Sequence, residues 1–162
     1  MDRRQFIKYV ESNQKAVRRF LTALCCGDSE MADDLAQDTF LKAYLACDGF
    51  REDSKFTTWI YRIAYNTFLT SRRKLHIDAP LSEAEAIASR EHTDGGFEYQ
   101  ALYVALEQLT ESERTTVLLH YMEGYNLKEI ADITGASVDA VKQRLTRGRR
   151  HLKDLMNDYE KQ

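Results

Sequence analysis

The stretch LKEIADITGASVDAVKQRLTRGRRHLK, residues 127–153, reads as two helices joined by a tight turn. In its first half, Leu127, Ile130, Ala131 and Ile133 mark one apolar face at helical spacing. Asn126 precedes them and Glu129 follows three residues on, which makes a capping box. Gly135 stands where a left-handed residue commonly stops a helix. Ser137 then caps a second helix, with Val138, Val141 and Leu145 at i, i+3 and i+7. The other positions of that helix are ones a core helix avoids: Lys142, Gln143, Arg144, Thr146, Arg147, Arg149, Arg150 and Lys153. From Ser137 to Lys153 there are six Lys or Arg against one acid, Asp139, in a chain whose 23 basic and 26 acidic residues leave it slightly negative. A short helix, a glycine turn and a basic second helix predict a DNA-reading helix-turn-helix. The competing reading is an antiparallel helical hairpin with a solvated basic face. Acids at i±4 are nearly absent, with only Asp154 so placed to pair Arg150, and this scarcity and the presence of Gln and Thr to address base edges favour DNA.

Outward from that stretch, the composition is ordinary for a globular chain: 162 residues, 43% hydrophobic and 30% charged, enough for one domain or two small ones. One proline, Pro80, and seven glycines leave long stretches open to helix, and no run alternates long enough for a sheet. The expected fold is all-α. No apolar run reaches the roughly 18 residues of a membrane span, so no membrane insertion is expected. The N-terminus MDRRQFIKYVES lacks the apolar core of a signal peptide, which predicts a cytoplasmic protein. Cys25 and Cys26 are adjacent, Cys47 is alone, and no histidine has ligand spacing to them, so small buried thiols are expected and no metal or cofactor. No paired catalytic carboxylates, nucleophile motif or glycine-rich phosphate loop stands out, so the chain is not read as an enzyme.

Residues 3–25 place Phe6, Ile7, Val10, Val17, Phe20, Leu21 and Leu24 mostly at helical spacing. Gly27-Asp28-Ser29 ends that helix and caps the next, from about Glu30 to Ala46, whose apolar side is Met31, Leu35, Phe40, Ala43 and Tyr44. Its outer side is acidic at Asp33, Asp34 and Asp38. Acids in a first turn suit the helix dipole, which covers Asp33 and Asp34 better than Asp38. CDGFREDSKF (47–56) reads as a loop, with Phe50 and Phe56 flanking a polar tip. Helix resumes over 57–74. Phe56, Ile60, Ile63, Ala64 and Thr67 can face inward there, but Trp59, Tyr61, Arg62, Tyr65, Asn66, Arg72, Arg73 and Lys74 cannot all do so. Either these aromatics and bases form a surface for single-stranded nucleic acid, rings on bases and cations on phosphates, or the rings are core and the bases a solvated helix end.

Residues 77–97 hold the only proline and Gly95-Gly96, with one base against five acids. The preceding block carries 13 bases against 10 acids, and residues 98–162 carry nine against 11. A proline, a diglycine and an acidic shift predict a flexible linker between two domains, 1–76 and 98–162. The second domain opens with Tyr99, Leu102, Tyr103, Ala105, Leu106 and Leu109. Thr110 and Glu113 form another capping box, followed by the face Val117, Leu118, Tyr121 and Met122 with Gly124 at the end.

In order and spacing, DDLAQDTFLKAY (33–44), DGFREDSKF (48–56), TWIYRIAYN (58–66) and LTESERTTVLLHYMEGYNLKEIADITGASVDAVKQRLTRGRRHLK (109–153) resemble an extracytoplasmic-function (ECF) sigma factor of bacterial RNA polymerase. The resemblance implies two small helical domains, sigma-2-like and sigma-4-like. It implies that Asp34, Gln37, Asp38, Phe40 and Lys42 meet core polymerase at the β′ clamp helices, with the β subunit a further contact. It implies that Phe50, Arg51, Ser54, Lys55, Trp59, Arg62 and Asn66 melt the −10 element and capture a base from single-stranded DNA. Ser137, Lys142, Gln143, Arg144, Thr146, Arg147, Arg149 and Arg150 then belong to the reader of double-stranded −35 DNA. Among these, Lys142, Gln143, Thr146 and Arg147 face bases, and Arg144, Arg149 and Arg150 lie nearer phosphates. A membrane-linked anti-sigma factor is the implied inhibitory partner. The chain departs from the family in Gly148, where Ala is frequent, which predicts a looser last turn in the reading helix at about 1 kcal/mol.

The physical chemistry agrees. Trapping unpaired bases offsets an opening cost of a few kcal/mol per base. A linker lets two modest sites act together by effective concentration. Net negative charge argues against tight DNA binding alone and for affinity supplied by a large partner. The alternative is an autonomous helix-turn-helix regulator whose N-terminal block dimerises or holds a ligand, and that would need an apolar pocket there.

Overall fold

The computed structural model describes residues 1–78 and 97–160, and among these the chain is helical throughout, with turns and no strand. The helices are α1 (Arg3–Leu24), α2 (Ser29–Ala46), α3 (Phe56–Asp78), α4 (Phe97–Gln108), α5 (Glu111–Val117), α6 (Leu127–Thr134) and α7 (Val138–Glu160). A 3₁₀ turn (Cys47–Gly49) follows α2, and a π-helical turn (Leu118–Met122) follows α5. The linker expected over 77–97 lies, apart from its ends, outside the described residues.

The N-terminal helices form a three-helix core. Asp2 caps α1 by accepting from the Gln5 amide at 2.8 Å. Val17, Phe20, Leu21 and Leu24 meet Ile60, Ala64 and Phe68 of α3 in the interior. Ile7 was expected inside but is 52% exposed, because Phe6, one step of 100° away, takes the buried phase. Ala32, Ala36 and Thr39 are buried on α2 beside Leu35 and Ala43, and the sequence reading had not marked these three; small side chains here line the packed side of the helix. α1 ends through two consecutive left-handed residues, Cys26 (φ 53°) and Gly27 (φ 90°), and the Asp28 carboxylate then accepts from the Met31 amide at 3.1 Å. The three thiols are buried as expected. Burial pushes Cys25 up to about 12 and Cys26 to about 11, so both stay protonated and act as packing groups.

In the C-terminal helices the expected caps are all present. The Glu113 amide donates to Thr110 Oγ1 at 3.2 Å, and Glu113 Oε1 accepts from the Thr110 amide at 3.1 Å. The Glu129 amide donates to Asn126 Oδ1 at 2.8 Å, Glu129 Oε1 accepts from the Asn126 amide at 3.2 Å, and Gly135 takes φ 73°. Ser137 Oγ accepts from the Ala140 amide at 3.1 Å. Tyr121 departs from expectation: it is 54% exposed while Leu119 is fully buried. The π-helical turn adds a residue per turn and rotates the phase of everything after Val117. Val138 is 45% exposed because it opens α7, and a helical side chain covers the turn before its own Cα, which α7 lacks there.

Gly148 corrects a further expectation. It does not loosen α7, which continues unbroken to Glu160. It is buried, and a Cβ there would stand 2.8 Å from Val117 Cγ2 and 3.3 Å from the Glu113 carbonyl. Glycine lets α7 press against α5. Gly148→Ala should therefore destabilise the chain by about 1 kcal/mol, since overpacking of roughly 1–3 kcal/mol outweighs about 1 kcal/mol of helix propensity. Val117→Ala in the same chain should restore part of it. Denaturant midpoints give both numbers, and a Gly148→Ala chain more stable than wild type would show that the contact yields freely.

The two blocks pack on each other. α6 lies along α3, and the π turn and α5 meet α1. Arg114 of α5, 5% exposed, donates from Nη1 to the Leu24 carbonyl at 2.9 Å.

Candidate nucleic-acid interface

The basic face of α7 stands clear. Lys142, Gln143, Thr146, Arg147 and Arg150 follow the helical period, are all exposed, and line one shallow groove. Among the described residues none of the cations Lys142, Arg147 and Arg150 pairs with a carboxylate. Thr146 Oγ1 donates to the Lys142 carbonyl at 3.0 Å, which turns its methyl outward. The other expected residues split away. Ser137 is a cap. Arg149 donates to the Tyr121 hydroxyl at 3.2 Å, toward the π turn. Arg144 is half-buried and close enough to Tyr65 of α3 that its charge works against the rise burial imposes on that phenol. The helix is fixed on α5 by Gly148 and by His151, whose Nδ1 lies 3.1 Å from Glu113 Oε2. Burial pushes the Glu113 carboxyl up, but the Thr110 amide and hydroxyl and His151 together hold it below its usual range.

The second surface is built from the 47–56 loop and α3. Arg51, Ser54 and Lys55 are exposed at the loop tip, where the Ser54 amide and hydroxyl both donate to the Arg51 carbonyl at 3.3 Å. Phe50 and Trp59 are half-buried and 4.9 Å apart, and both contact Phe56, which stacks on Tyr9 at 4.7 Å. This aromatic cluster anchors the loop. Tyr61 and Tyr65 are buried, at 2% and 7% exposure, so of the two readings left open for these rings the structure takes the core one. Arg62 and Asn66, one turn apart, remain exposed on α3 and face the turn of the helix-turn-helix.

The third surface lies on α2. Asp34, Gln37 and Asp38 are exposed, and Asp34, Asp38 and Lys42 line a groove with Thr67, Thr70 and Lys74 of α3. Lys42 Nζ donates to Thr67 Oγ1 at 3.3 Å. Phe40 is not on this face: it is half-buried on the α1 side, with the Arg18 guanidinium 5.9 Å above its ring. The sequence reading missed Leu41 and Leu45, which are 58% and 74% exposed and extend the stripe of Gln37 and Asp38 down the helix. Two leucines left in water beside acids on one helix face were the available signal.

Two family models match: Sigma-70 region 2 over residues 9–76 and Sigma-70 region 4 over residues 99–152. The chain is 33% identical over 148 residues to the ECF RNA polymerase sigma factor SigW of Bacillus subtilis, covering 82% of this chain and 79% of that protein. It is 30% identical over 144 residues to the ECF RNA polymerase sigma factor EcfG of Rhodopseudomonas palustris, covering 87% and 79%. Among solved structures, the sigma factor RpoE in complex with the anti-sigma factor NepR from Bartonella quintana superposes with a TM-score of 0.80 at 25% identity, covering 94% of this chain and 97% of that one. CnrH in complex with the cytosolic domain of CnrY gives a TM-score of 0.73 at 25% identity, covering 97% and 90%.

Proposed function

This chain belongs to the ECF sigma factors of RNA polymerase, and on that premise we propose how its surfaces divide the work. Residues 1–76 dock on core polymerase and melt the −10 element, and residues 98–162 read the −35 element. The observation that carries this is the face of α7, where Lys142, Gln143, Thr146, Arg147 and Arg150 project together with no carboxylate pairing the cations among the described residues. Cations at this spacing on a helix-turn-helix suit a major groove, with base edges and phosphates both in reach. Arg62 and Asn66 serve the opened strand, the exposed acids and leucines of α2 serve polymerase, and Arg51, Ser54 and Lys55 line the path between. Lys42 and Phe40 support α2 rather than touch the partner. An anti-sigma protein is the partner class suggested by the relatives solved in such complexes. No helix among the described residues is long and apolar enough to cross a membrane, and we place the protein in the cytoplasm with its polymerase. We assign it no reaction of its own. An autonomous regulator is disfavoured by a family match that covers both blocks.

The test is run-off transcription of a promoter library with core polymerase at two salt concentrations. Arg147→Ala should relax preference at one or two −35 positions, at about 1–3 kcal/mol of discrimination. Arg150→Ala should weaken all promoters alike and reduce the salt slope by about 0.9, one phosphate's worth. If Arg147→Ala only scales the wild-type profile down, Arg147 is a phosphate clamp and base reading falls to Lys142 and Gln143. A wild-type chain that directs no promoter-dependent run-off would defeat the assignment itself.

A further inference from the structure

A groove lies on the side of the 47–56 loop turned to α1. It shares no lining residue with the groove of Arg62 and Asn66. Its volume of about 690 Å³ falls within the roughly 300–1,000 Å³ of small-molecule sites. Its floor is aromatic. Phe56 opens α3 and is buried, and the Tyr9 ring lies 4.7 Å from it, 16° from parallel. Tyr9 is nonetheless 39% exposed, and with Phe56 against one face of the ring, the open part is the part turned away from it. The α1 wall is polar. Gln5 stands one turn before Tyr9, and its side-chain amide makes no hydrogen bond among the described residues. Asn13 donates its amide nitrogen to the Tyr9 carbonyl at 2.8 Å and Ser12 its hydroxyl to the Lys8 carbonyl at 3.0 Å, which leaves each an oxygen that can accept. Charge divides across the groove. On the loop side Lys55 lies 3.6 Å from Glu129 of α6, so Glu52 and Asp53 set the sign there. On α1, Arg4, Lys8 and Lys15 follow the helical period at i, i+4 and i+11 along the stripe beside Gln5 and Ser12, with Glu11 the one acid among them. These three cations are exposed, and none pairs with a carboxylate among the described residues.

We propose that this groove holds an unpaired nucleotide of the displaced strand, a second one beyond that served by Arg62 and Asn66. This rests on the reading given under Proposed function and adds α1 to its DNA contacts. An exposed ring beside a row of cations is what a single strand requires, the ring for a base and the cations for phosphates. The division of charge orients the nucleotide. Phosphates follow Arg4 and Lys8 and are repelled by Glu52 and Asp53, so the base is the part that enters over Tyr9. There Gln5 can both donate and accept along a base edge, and the two carboxylates can accept from an exocyclic amino group. Phe56 serves both sides of the loop: it anchors Phe50 and Trp59 and backs Tyr9 as a platform.

The experiment uses the full chain with core polymerase on a pre-opened promoter bubble, with an abasic site placed at each displaced-strand position in turn. The lifetime of the wild-type complex should fall at two positions at least. Tyr9→Leu keeps an apolar side chain against Phe56 and removes the stacking ring. It should shorten the lifetime on the intact strand roughly tenfold and become indifferent to the abasic site at one position, while the position silenced by Asn66→Ala stays sensitive. Lys8→Ala, at an exposed position, should reduce the salt slope by about 0.7, one single-strand phosphate's worth, and serves if Tyr9→Leu loses helicity. The proposal is overturned if Tyr9→Leu loses equally at every position, if it silences the same position as Asn66→Ala, or if both variants match wild type. Weakened retention of either variant on core polymerase without DNA makes the groove a protein contact and overturns it too. A wild type that holds no bubble sinks the sigma assignment, whereas a wild type that holds it with unaltered variants sinks the groove's role alone.

Discussion

Arg114→Leu should destabilise the folded chain by about 3 kcal/mol or more, far beyond any surface substitution here. The guanidinium is buried, at 5% exposure, and its donors go to three main-chain carbonyls. Nε reaches Leu106 at 2.9 Å, Nη2 reaches Leu109 at 3.4 Å, and Nη1 reaches Leu24 at 2.9 Å. Leu106 lies in the last turn of α4 and Leu109 just beyond its end, while Leu24 is the last residue of α1. Carbonyls in a last turn have no partner within their own helix, and the negative end of the dipole favours a cation. Arg114 thus closes two helix ends, one from each block. A leucine removes the guanidinium from all three carbonyls, of which Leu106 keeps the Leu109 amide at 3.2 Å, and costs about 1–3 kcal/mol for each one left unsatisfied that water cannot reach. Arg114→Lys keeps the charge but cannot fork to three acceptors, so it should lose about half as much. Urea unfolding measures both. A loss below about 1 kcal/mol for Arg114→Leu would show that water reaches this part of the seam and replaces the side chain.

Arg114 also marks where sequence reading stops. The stretch ESERTTV showed a capping box, and the box is there, because a cap is settled by four neighbouring residues. The same locality made Asn126, Glu129, Gly135 and Ser137 legible, and with them the helix-turn-helix and its basic face. Nothing local says that the arginine next to Glu113 turns inward to reach a carbonyl 90 residues away. Glu123 is the same case, an acid in a turn whose burial depends on Tyr61 and Arg19 of the other block. Tyr61 and Tyr65 went unplaced because α3 packs on two sides, toward α1 and α2 and toward α6, and a helix covered twice has too wide an apolar face for one stripe to show. The π turn hid for another reason: its extra residue alters phase without altering composition, so Tyr121 and Leu119 exchanged expected places. Gly148 was read by propensity, when a close helix approach decides it.

Asp38→Lys should remove the chain from core polymerase altogether. Asp38 lies midway along α2, past the first turn where a carboxylate serves the helix dipole, and makes no ion pair among the described residues. Nothing within the fold accounts for it. Beside it run Asp34, Gln37, Leu41 and Leu45, the two leucines 58% and 74% exposed. Apolar side chains in water next to unpaired acids form a surface that a basic, amphipathic partner would cover, the leucines supplying area and the acids register. Reversing the charge at the centre replaces an attraction with a repulsion, and like-charge contacts across an interface cost several kcal/mol. Retention of the chain on immobilised core polymerase should fall at least about 100-fold, the equivalent of about 2.7 kcal/mol, with far-UV helicity unchanged because the position is exposed. Leu45→Ser should weaken retention less and without altering its salt dependence, since it removes area and no charge. Asp33→Asn is the control: Asp33 turns to Arg18 at 3.1 Å, on the α1 side, and retention should survive its loss. If Asp38→Lys is retained like wild type, the polymerase contact lies off α2, and the exposed leucines answer to another partner.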